Sequence, residues 1–514
     1  MKILTNEEIR NIEKITIENQ GITSLDLIER VAGAVANEVK RHCRRDDALL
    51  VLAGWGNNGA DALETARILA LDGYKPNVYL FNIGGKSLNA QCREIKGRLL
   101  ATQKVTLYEI TGAEPFQWSD PPATATIIDG LFGSGLNKPL PRTFQLLARN
   151  INESGARVIS IDIPSGLYGE WNGPQSREDI IHATVTLAVE FPRLSFMLSD
   201  NHRVVGNWKV IRIGYDAEAV RNAPFTYILV DRPLVARYLE PRKPFSSKAD
   251  YGNAIIYAGS RGMMGAAVLS AAGALRSGAG KVTLYGPSAG CTVAQTAEPC
   301  AMYLSDSNSD FITSMPFSNK YNACGVGPGI GTTDETVNAF EKFTKAASAS
   351  GQRLVVDADA LNIIAKRPNI LNYLTPLSII TPHAGEFDRI FGPSSSDEER
   401  LKKAIKCAED YMLIVVLKGH HTTVVRPDGK LMFNSSGTPA MATPGSGDVL
   451  TGIITGLMAS GLSSEVAAFV GPYIHGVAGE IAESQHGQYG VTAKDIADNV
   501  GVAISRIMNN EKTL

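Results

Sequence analysis

The chain has 514 residues, 44% of them hydrophobic and 20% charged, with a formal net charge of -2. At roughly 100–200 residues per domain, that length exceeds one ordinary core and points to about two to four domains. A near-neutral balance gives no electrostatic case for nucleic acid or an anionic membrane surface.

The six cysteines (Cys43, Cys92, Cys291, Cys300, Cys324, Cys407) are scattered, with no CxxC pair. They fit the reduced thiols of a cytoplasmic protein better than a disulfide frame or a zinc site. Residues 1–20 are charged and read as the start of a helix, without the apolar core of a signal peptide. Residues 23–39 have helical spacing, with Leu25, Ile28, Ala32, Val35 and Val39 able to share a face. A strand at 48–53, a glycine turn at 54–59 and a helix at 61–71 follow. Further apolar strands are expected at 77–81, 126–131, 158–163 and 184–189, with a final strand at 208–213. Strands alternating with helical stretches predict an α/β fold, a mostly parallel sheet covered on both faces.

From 214 to 248 the pattern loosens around Pro224, Pro233, Pro241 and Pro244. This places a boundary at 216–245, between a Rossmann-like three-layer domain at 1–215 and a second α/β domain at 246–514. Alternation then restarts with a strand at 254–258, a helix at 266–277, strands at 282–285 and 323–327, and a helix at 335–347. Strands at 354–357, 378–381 and 413–418, a hairpin around 427–430, and helices at 448–459, 464–483 and 493–508 complete the pattern. The most apolar uncharged run, 449–464, is shorter than the roughly 20 apolar residues of a membrane span. Broken by glycines, it is expected to be a buried helix. The halves share a class but no motif, so the chain reads as a fusion of two α/β domains.

In the first half, Gly54-Trp55-Gly56-Asn57-Asn58-Gly59-Ala60-Asp61 lies between strand and helix. Two more strand ends are polar, at Asp129 and at Asp162-Ile163-Pro164-Ser165-Gly166. Strand C-termini of a parallel sheet line the ligand crevice. Asn58, Asp129 and Ser165 could therefore offer oxygens to a cation and leave Asp162 as a base; as an alternative, Asp129 and Asp162 cap turns.

In the second half, Gly445-Ser446-Gly447-Asp448 opens the apolar helix. Glycines admit a ligand close to the backbone, and a helix N-terminus favours an anion, usually phosphate. An acid there suits a hydroxyl that meets the phosphate; as an alternative, Asp448 is only an N-cap. Four further strand ends accompany it: Gly325 to Gly331, Asp357 to Asn362, Thr381 to Glu386 and Leu417 to Thr422. Each could be a plain turn, and His383 alone a hydrogen-bonded loop histidine, but together they suggest one site.

On these motifs the first 215 or so residues resemble the NAD(P)H-hydrate epimerase family. The resemblance implies that Asn57, Asn58, Gly59, Ala60, Asp61, the loop Ser134, Gly135, Leu136, Asn137 and Lys138, and Asp162 bind the hydrated nucleotide. It further implies K⁺ on Asn58, Asp129 and Ser165, with Asp162 catalytic. Two departures stand out: Ala60 and Ala62 replace usual glycines, and Arg193 lies in a segment where many members carry lysine. Each alanine methyl would be strained wherever a positive φ is required.

Residues 225–510 resemble ADP/ATP-dependent NAD(P)H-hydrate dehydratases of the ribokinase-like fold, and the tandem order resembles the bifunctional repair family. That implies hydrate binding by Ala266, Gly329, His383 and Asp448, and ADP binding by Lys418, Gly419, His420, His421, Thr422 and Gly447, with Asp448 as the base. Mg²⁺ would accompany ADP or ATP on the nucleotide's own phosphates. An assembly of identical chains is also expected. The alternative is a ribokinase-like small-molecule kinase carrying a non-catalytic nucleotide-binding domain.

Overall fold

A computed structural model of the chain describes residues 1–83, 88–112 and 123–509. The chain divides between Phe225 and Thr226 into two compact units. The division falls inside the stretch taken from sequence as a boundary.

The first unit is built on a parallel sheet of β1 (Leu49–Ala53), β2 (Pro76–Phe81), β3 (Thr106–Ile110), β4 (Thr126–Gly130), β5 (Arg157–Ile161), β6 (Val185–Val189) and β7 (Asn207–Ile211). Their spatial order is β3-β2-β1-β4-β5-β6-β7. β1 is buried along its whole length because both faces are covered. Val51 and Ala53 pack under the helices Ser24–His42, Asn57–Leu71 and Ala90–Ala101, whereas Leu50 and Leu52 pack with Phe144 and Leu147 of the helix Arg142–Glu153. The order reverses between β1 and β4, so a crevice opens where their carboxyl ends diverge. β3, absent from the sequence-based expectation, is an edge strand with a largely exposed pattern. The helix expected from 61 begins instead at Asn57, because Gly56 supplies the extended N-cap.

The second unit contains β8 (Tyr227–Val230), β9 (Asn253–Tyr257), β10 (Lys281–Gly286), β11 (Met302–Ser305), β12 (Ala323–Val326), β13 (Leu354–Val356), β14 (Ile379–Ile380), β15 (Ile414–Leu417), β16 (Thr423–Val425) and β17 (Leu431–Asn434). They lie in the order β8-β17-β16-β15-β14-β13-β12-β9-β10-β11. β9 to β15 are parallel, while β15, β16 and β17 run antiparallel in turn, which realises the expected hairpin. Here too the order reverses, between β9 and β12. β8 lies within the stretch read as a linker, and β11 was also missed: it is short and largely exposed.

The run at 449–464 forms most of a helix, Ser446–Ala459, in which every residue from Val449 to Ala459 is buried. It crosses the helix Met264–Arg276 at backbone contact: a methyl on Gly452 would lie 2.0 Å from Ser270 O. This crossing and the helices Ser464–His486 and Ala493–Met508 build the main core of the unit. Among the described residues no helix is long and apolar enough to cross a membrane.

Candidate active sites

The crevice of the first unit gathers its predicted residues tightly. Gly54 and Gly130 leave no room for side chains, since a methyl on Gly54 would lie 1.9 Å from Leu131 O and one on Gly130 2.5 Å from the Ala62 methyl. Ala60 and Ala62 are buried residues of a regular helix with negative φ, so the strain anticipated for them does not arise.

Asp129 is fully buried and accepts four hydrogen bonds: Ser165 N at 2.9 Å, Ser165 Oγ at 2.5 Å, Ser160 Oγ at 2.8 Å and Leu131 N at 3.3 Å. Burial nonetheless pushes its carboxyl above the usual range, with these hydrogen bonds opposing. Asn58 Nδ2 donates to Phe132 O at 3.0 Å, and Ser165 Oγ lies 3.2 Å from the same carbonyl. Asn58 and Ser165 thus converge on the Phe132 backbone, and Asp129 is joined to them through Ser165.

Asp162 sits beside them at φ +64, a conformation L residues rarely adopt and one that tends to persist at functional sites. Its Oδ2 accepts Ser134 N at 3.4 Å, and its Oδ1 forms an ion pair with the buried Arg193. Among the described residues, Arg193 Nε and Nη1 are buried without a partner. Asp61 is pushed well up by burial and by the charges of Asp162 and Glu13. Asn6 Nδ2 holds Ser134 O at 2.7 Å, fixing the head of the loop, while Gly135, Asn137 and Lys138 are exposed. Asn57 is exposed and accepts Asn89 Nδ2 at 2.6 Å.

In the second unit a cavity of about 870 Å³ opens beside the carboxyl ends of β13 and β15. His383, Lys418, Gly419, His420, Thr422, Gly447 and Asp448 line it. His421 turns away, its Nδ1 3.0 Å from Asn434 O. Ala266 and Gly329 do not line the cavity but meet each other: a methyl on Gly329 would sit 3.2 Å from Ala266 Cβ.

Gly445, at φ +88, is the N-cap of the helix, so Asp448 belongs to the first turn and is not the cap. Ser446 N is given to Thr443 O at 3.3 Å. Among the described residues the N–H groups of Gly447 and Asp448 have no acceptor, which leaves them for an anion. Burial, then the charge of Asp357, raises the Asp448 carboxyl to about 7, with Lys418 opposing. The Lys418 ammonium is raised even though burial, the largest single effect, lowers it, because the neighbouring carboxylates of Asp357, Glu386 and Asp448 together outweigh that burial. Its Nζ lies 2.8 Å from Asp357 Oδ1 and 3.7 Å from Glu386 Oε2.

His383 caps the helix Ala384–Phe391. Its Nδ1 accepts Gly385 N at 3.0 Å and Glu386 N at 3.3 Å, so Nε2 carries the proton when the ring is neutral. Sequence reasoning missed His475, which is buried in the helix Ser464–His486 with Nε2 3.3 Å from Ser446 Oγ. A histidine inside an apolar helical run was its one signal. Roles for Asp357, Glu386 and Thr451 were missed as well, although the first two stand in motifs singled out above.

Two doubly wound units, the first with polar groups at its switch point and the second with an acid in a glycine loop beside the carboxyl ends of β13 and β15, define a two-domain α/β nucleotide-handling enzyme. Residues 24–195 match the family model described as YjeF-related protein N-terminus, and residues 254–501 the one described as NAD(P)H-hydrate dehydratase. The chain is 31% identical to the bifunctional NAD(P)H-hydrate repair enzyme Nnr of Thermofilum pendens, over 96% of this chain and 94% of that protein. It is 30% identical to the Moorella thermoacetica enzyme of the same name, over 100% and 98%. Among solved structures, the ADP/ATP-dependent NAD(P)H-hydrate dehydratase of Bacillus subtilis, co-crystallised with ATP/Mg²⁺, is 29% identical at a TM-score of 0.48, covering 55% of this chain and 98% of that one. The chain belongs to the family of bifunctional NAD(P)H-hydrate repair enzymes.

Proposed function

We propose that the first unit interconverts the R and S epimers of NAD(P)H hydrate and that the second dehydrates the S form to NAD(P)H. The second reaction uses ADP or ATP and releases AMP or ADP with phosphate. The observation that carries this is Asp448: a carboxyl poised near neutrality beside two acceptor-free N–H groups, inside a cavity sized for a small ligand.

Hydroxide is a poor leaving group. Phosphorylating the hydroxyl of the hydrated ring makes it a good one; the ring nitrogen lone pair then expels phosphate, and loss of a proton from the neighbouring ring carbon restores the double bond of NAD(P)H. Asp448 takes the hydroxyl proton, which requires its ionised form. The N–H groups of Gly447 and Asp448 and the Lys418 ammonium meet the charge on the transferring phosphoryl group. Gly419, His420 and Thr422 hold the nucleoside diphosphate, while His421 is turned toward Asn434 and has no part in it. His383 borders the hydrate, whereas Ala266 and Gly329 lie outside the cavity lining. Mg²⁺ bound to the nucleotide would neutralise phosphate charge; among the described residues no group of three His, Cys, Asp or Glu stands ready to cage it.

In the first unit, Asp162 is the base. Asn57, Asn58, Gly59, Ala60, Asp61 and the loop from Ser134 to Lys138 bind the nucleotide. The side-chain oxygens of Asn58, Asp129 and Ser165 with the Phe132 carbonyl would make a set with a single carboxylate, suited to a hard monovalent cation such as K⁺, once Asn58 turns its amide oxygen in where its Nδ2 now faces that carbonyl. Bound there, K⁺ would supply a fixed positive charge next to the substrate loop. We place the protein in the cytoplasm as an assembly of identical chains.

The test is an incubation of NADH hydrate with ADP, following NADH at its absorbance maximum and inorganic phosphate together. Repair releases both in equal amounts. A stable phosphorylated product without NADH would identify a small-molecule kinase instead.

A further inference from the structure

One buried charge beneath the anion loop has no role in the reaction described above. Asp357 follows β13, is 1% exposed, and has both carboxylate oxygens engaged. Oδ1 takes Lys418 Nζ at 2.8 Å and Oδ2 takes Thr451 Oγ1 at 2.7 Å. Thr451 lies one turn beyond Gly447 on the helix that bears Asp448, and its hydroxyl is also 3.2 Å from Gly447 O. A methyl built on Gly447 would lie 3.3 Å from Lys418 Nζ and 3.8 Å from Asp357 Oδ2, so both groups lie against the loop. The next residue, Ala358, is held at φ +49, which fixes the backbone where the strand ends.

Among the described residues, the cavity is lined by one ammonium, Lys418, and by the carboxylates of Asp357, Glu386 and Asp448. Asp357, Lys418, Asp359 and Glu386 act electrostatically on Asp448, and His383 and His475 line the same wall. A lysine is a point charge on a flexible four-carbon stem and goes to whichever acid holds it best. If Lys418 paired with Asp448, it would make that carboxylate a weaker base and would leave the phosphoryl path. The 2.8 Å contact shows that Asp357 takes the lysine instead.

We propose that Asp357 is a positioning residue for the dehydration: it clamps Lys418 under the glycine loop, ties it through Thr451 to the helix carrying Asp448, and so leaves Asp448 free to act as the base. This rests on the dehydratase reading of the same cavity. The clamp spans the ends of two strands and one helix, residues 357, 418 and 451, and neither of the two contacts that Asp357 makes is local in sequence. Asp357 itself does not touch the reacting atoms; it acts through Lys418 and Thr451.

The experiment is the pH profile of kcat and the KM for ADP in full-length wild type, Asp357→Asn and Thr451→Val, assayed by ADP-dependent NADH recovery from NADH hydrate. In Asp357→Asn a like charge is removed and Lys418 is released toward Asp448. The acid limb of the profile should move to lower pH by about one unit, and the plateau kcat should fall by about tenfold or more. Thr451→Val keeps the Asp357 charge, so its limb should stay in place while the plateau falls by about tenfold, the effect of one hydrogen bond to a charged group.

An unmoved limb in folded Asp357→Asn, whatever its plateau, overturns the proposal. So does a Thr451→Val enzyme with wild-type kcat, which decides the matter if Asp357→Asn does not fold. A wild type that recovers no NADH with ADP instead removes the dehydratase reading on which the clamp depends.

Discussion

Gly445→Ala tests whether the glycine loop is shaped by its backbone. Gly445 sits at φ +88 as the N-cap of the helix Ser446–Ala459. An L side chain in the left-handed region costs about 1–2 kcal/mol. The new methyl would lie 2.4 Å from Leu269 Cδ1 and 3.2 Å from Ala493 Cβ. Leu269 is the more able to rotate away, but overpacking of this kind typically costs about 1–3 kcal/mol. The sum is about 2–5 kcal/mol against the second unit. At roughly 2–4 °C per kcal/mol for a unit near this size, calorimetry should show its unfolding about 4 °C lower or more. If the loop relieves the strain by rotating, the N–H groups of Gly447 and Asp448 lose their aim, and the KM for ADP should rise by about tenfold. A variant that unfolds at the wild-type temperature and keeps the wild-type KM for ADP would refute the reasoning.

Asp448→Asn should lower ADP-dependent NADH recovery by about 10²–10⁴-fold, the range for a lost general base, while equilibrium titration shows ADP still bound. In the wild type, kcat should rise as pH climbs through about 7, because burial and Asp357 hold the Asp448 carboxyl that high and only its ionised form accepts a proton. Arg193→Met should slow epimer interconversion by about tenfold or more, with Arg193→Lys retaining more of the rate, as followed by chromatographic separation of the hydrates; a Met variant as fast as wild type would remove the ion pair with Asp162 from the account. Burial lowers the His475 ring from 6.5 to about 4. Its contribution to stability is therefore complete above pH 6.5 and is lost as pH falls through about 4, roughly 3 kcal/mol in all. Urea unfolding of His475→Gln across that window should show a shallower loss than wild type.

Much of the architecture can be read from the chain because parallel strands buried on both faces are continuous apolar runs. β1, β4, β5 and β13 announce themselves in this way. β3 and β11 do not, since edge strands carry exposed polar positions and lose that signal. Gly445–Asp448 is legible because glycines and one acid before an apolar helix are an unusual local combination. Asp162 was legible as a polar strand end, but nothing local shows that it takes a left-handed conformation or that it meets Arg193, 31 residues on. The meeting of Asp357 with Lys418 and Thr451, 61 and 94 residues away, is a product of strand order and helix crossing. His475 was hidden for the opposite reason: in an apolar helix a lone histidine reads as core, and only its approach to Ser446 marks it.

One chain is proposed to salvage both epimers of the hydrate. The direct measurement is total NADH formed from an equal mixture of R and S hydrate with excess ADP, corrected for uncatalysed interconversion. Wild type should convert the whole mixture, Asp162→Asn should stop at the S half, and Asp448→Asn should form none. A wild type that stops at the S half, or an Asp162→Asn enzyme that consumes both halves at the wild-type rate, would contradict it.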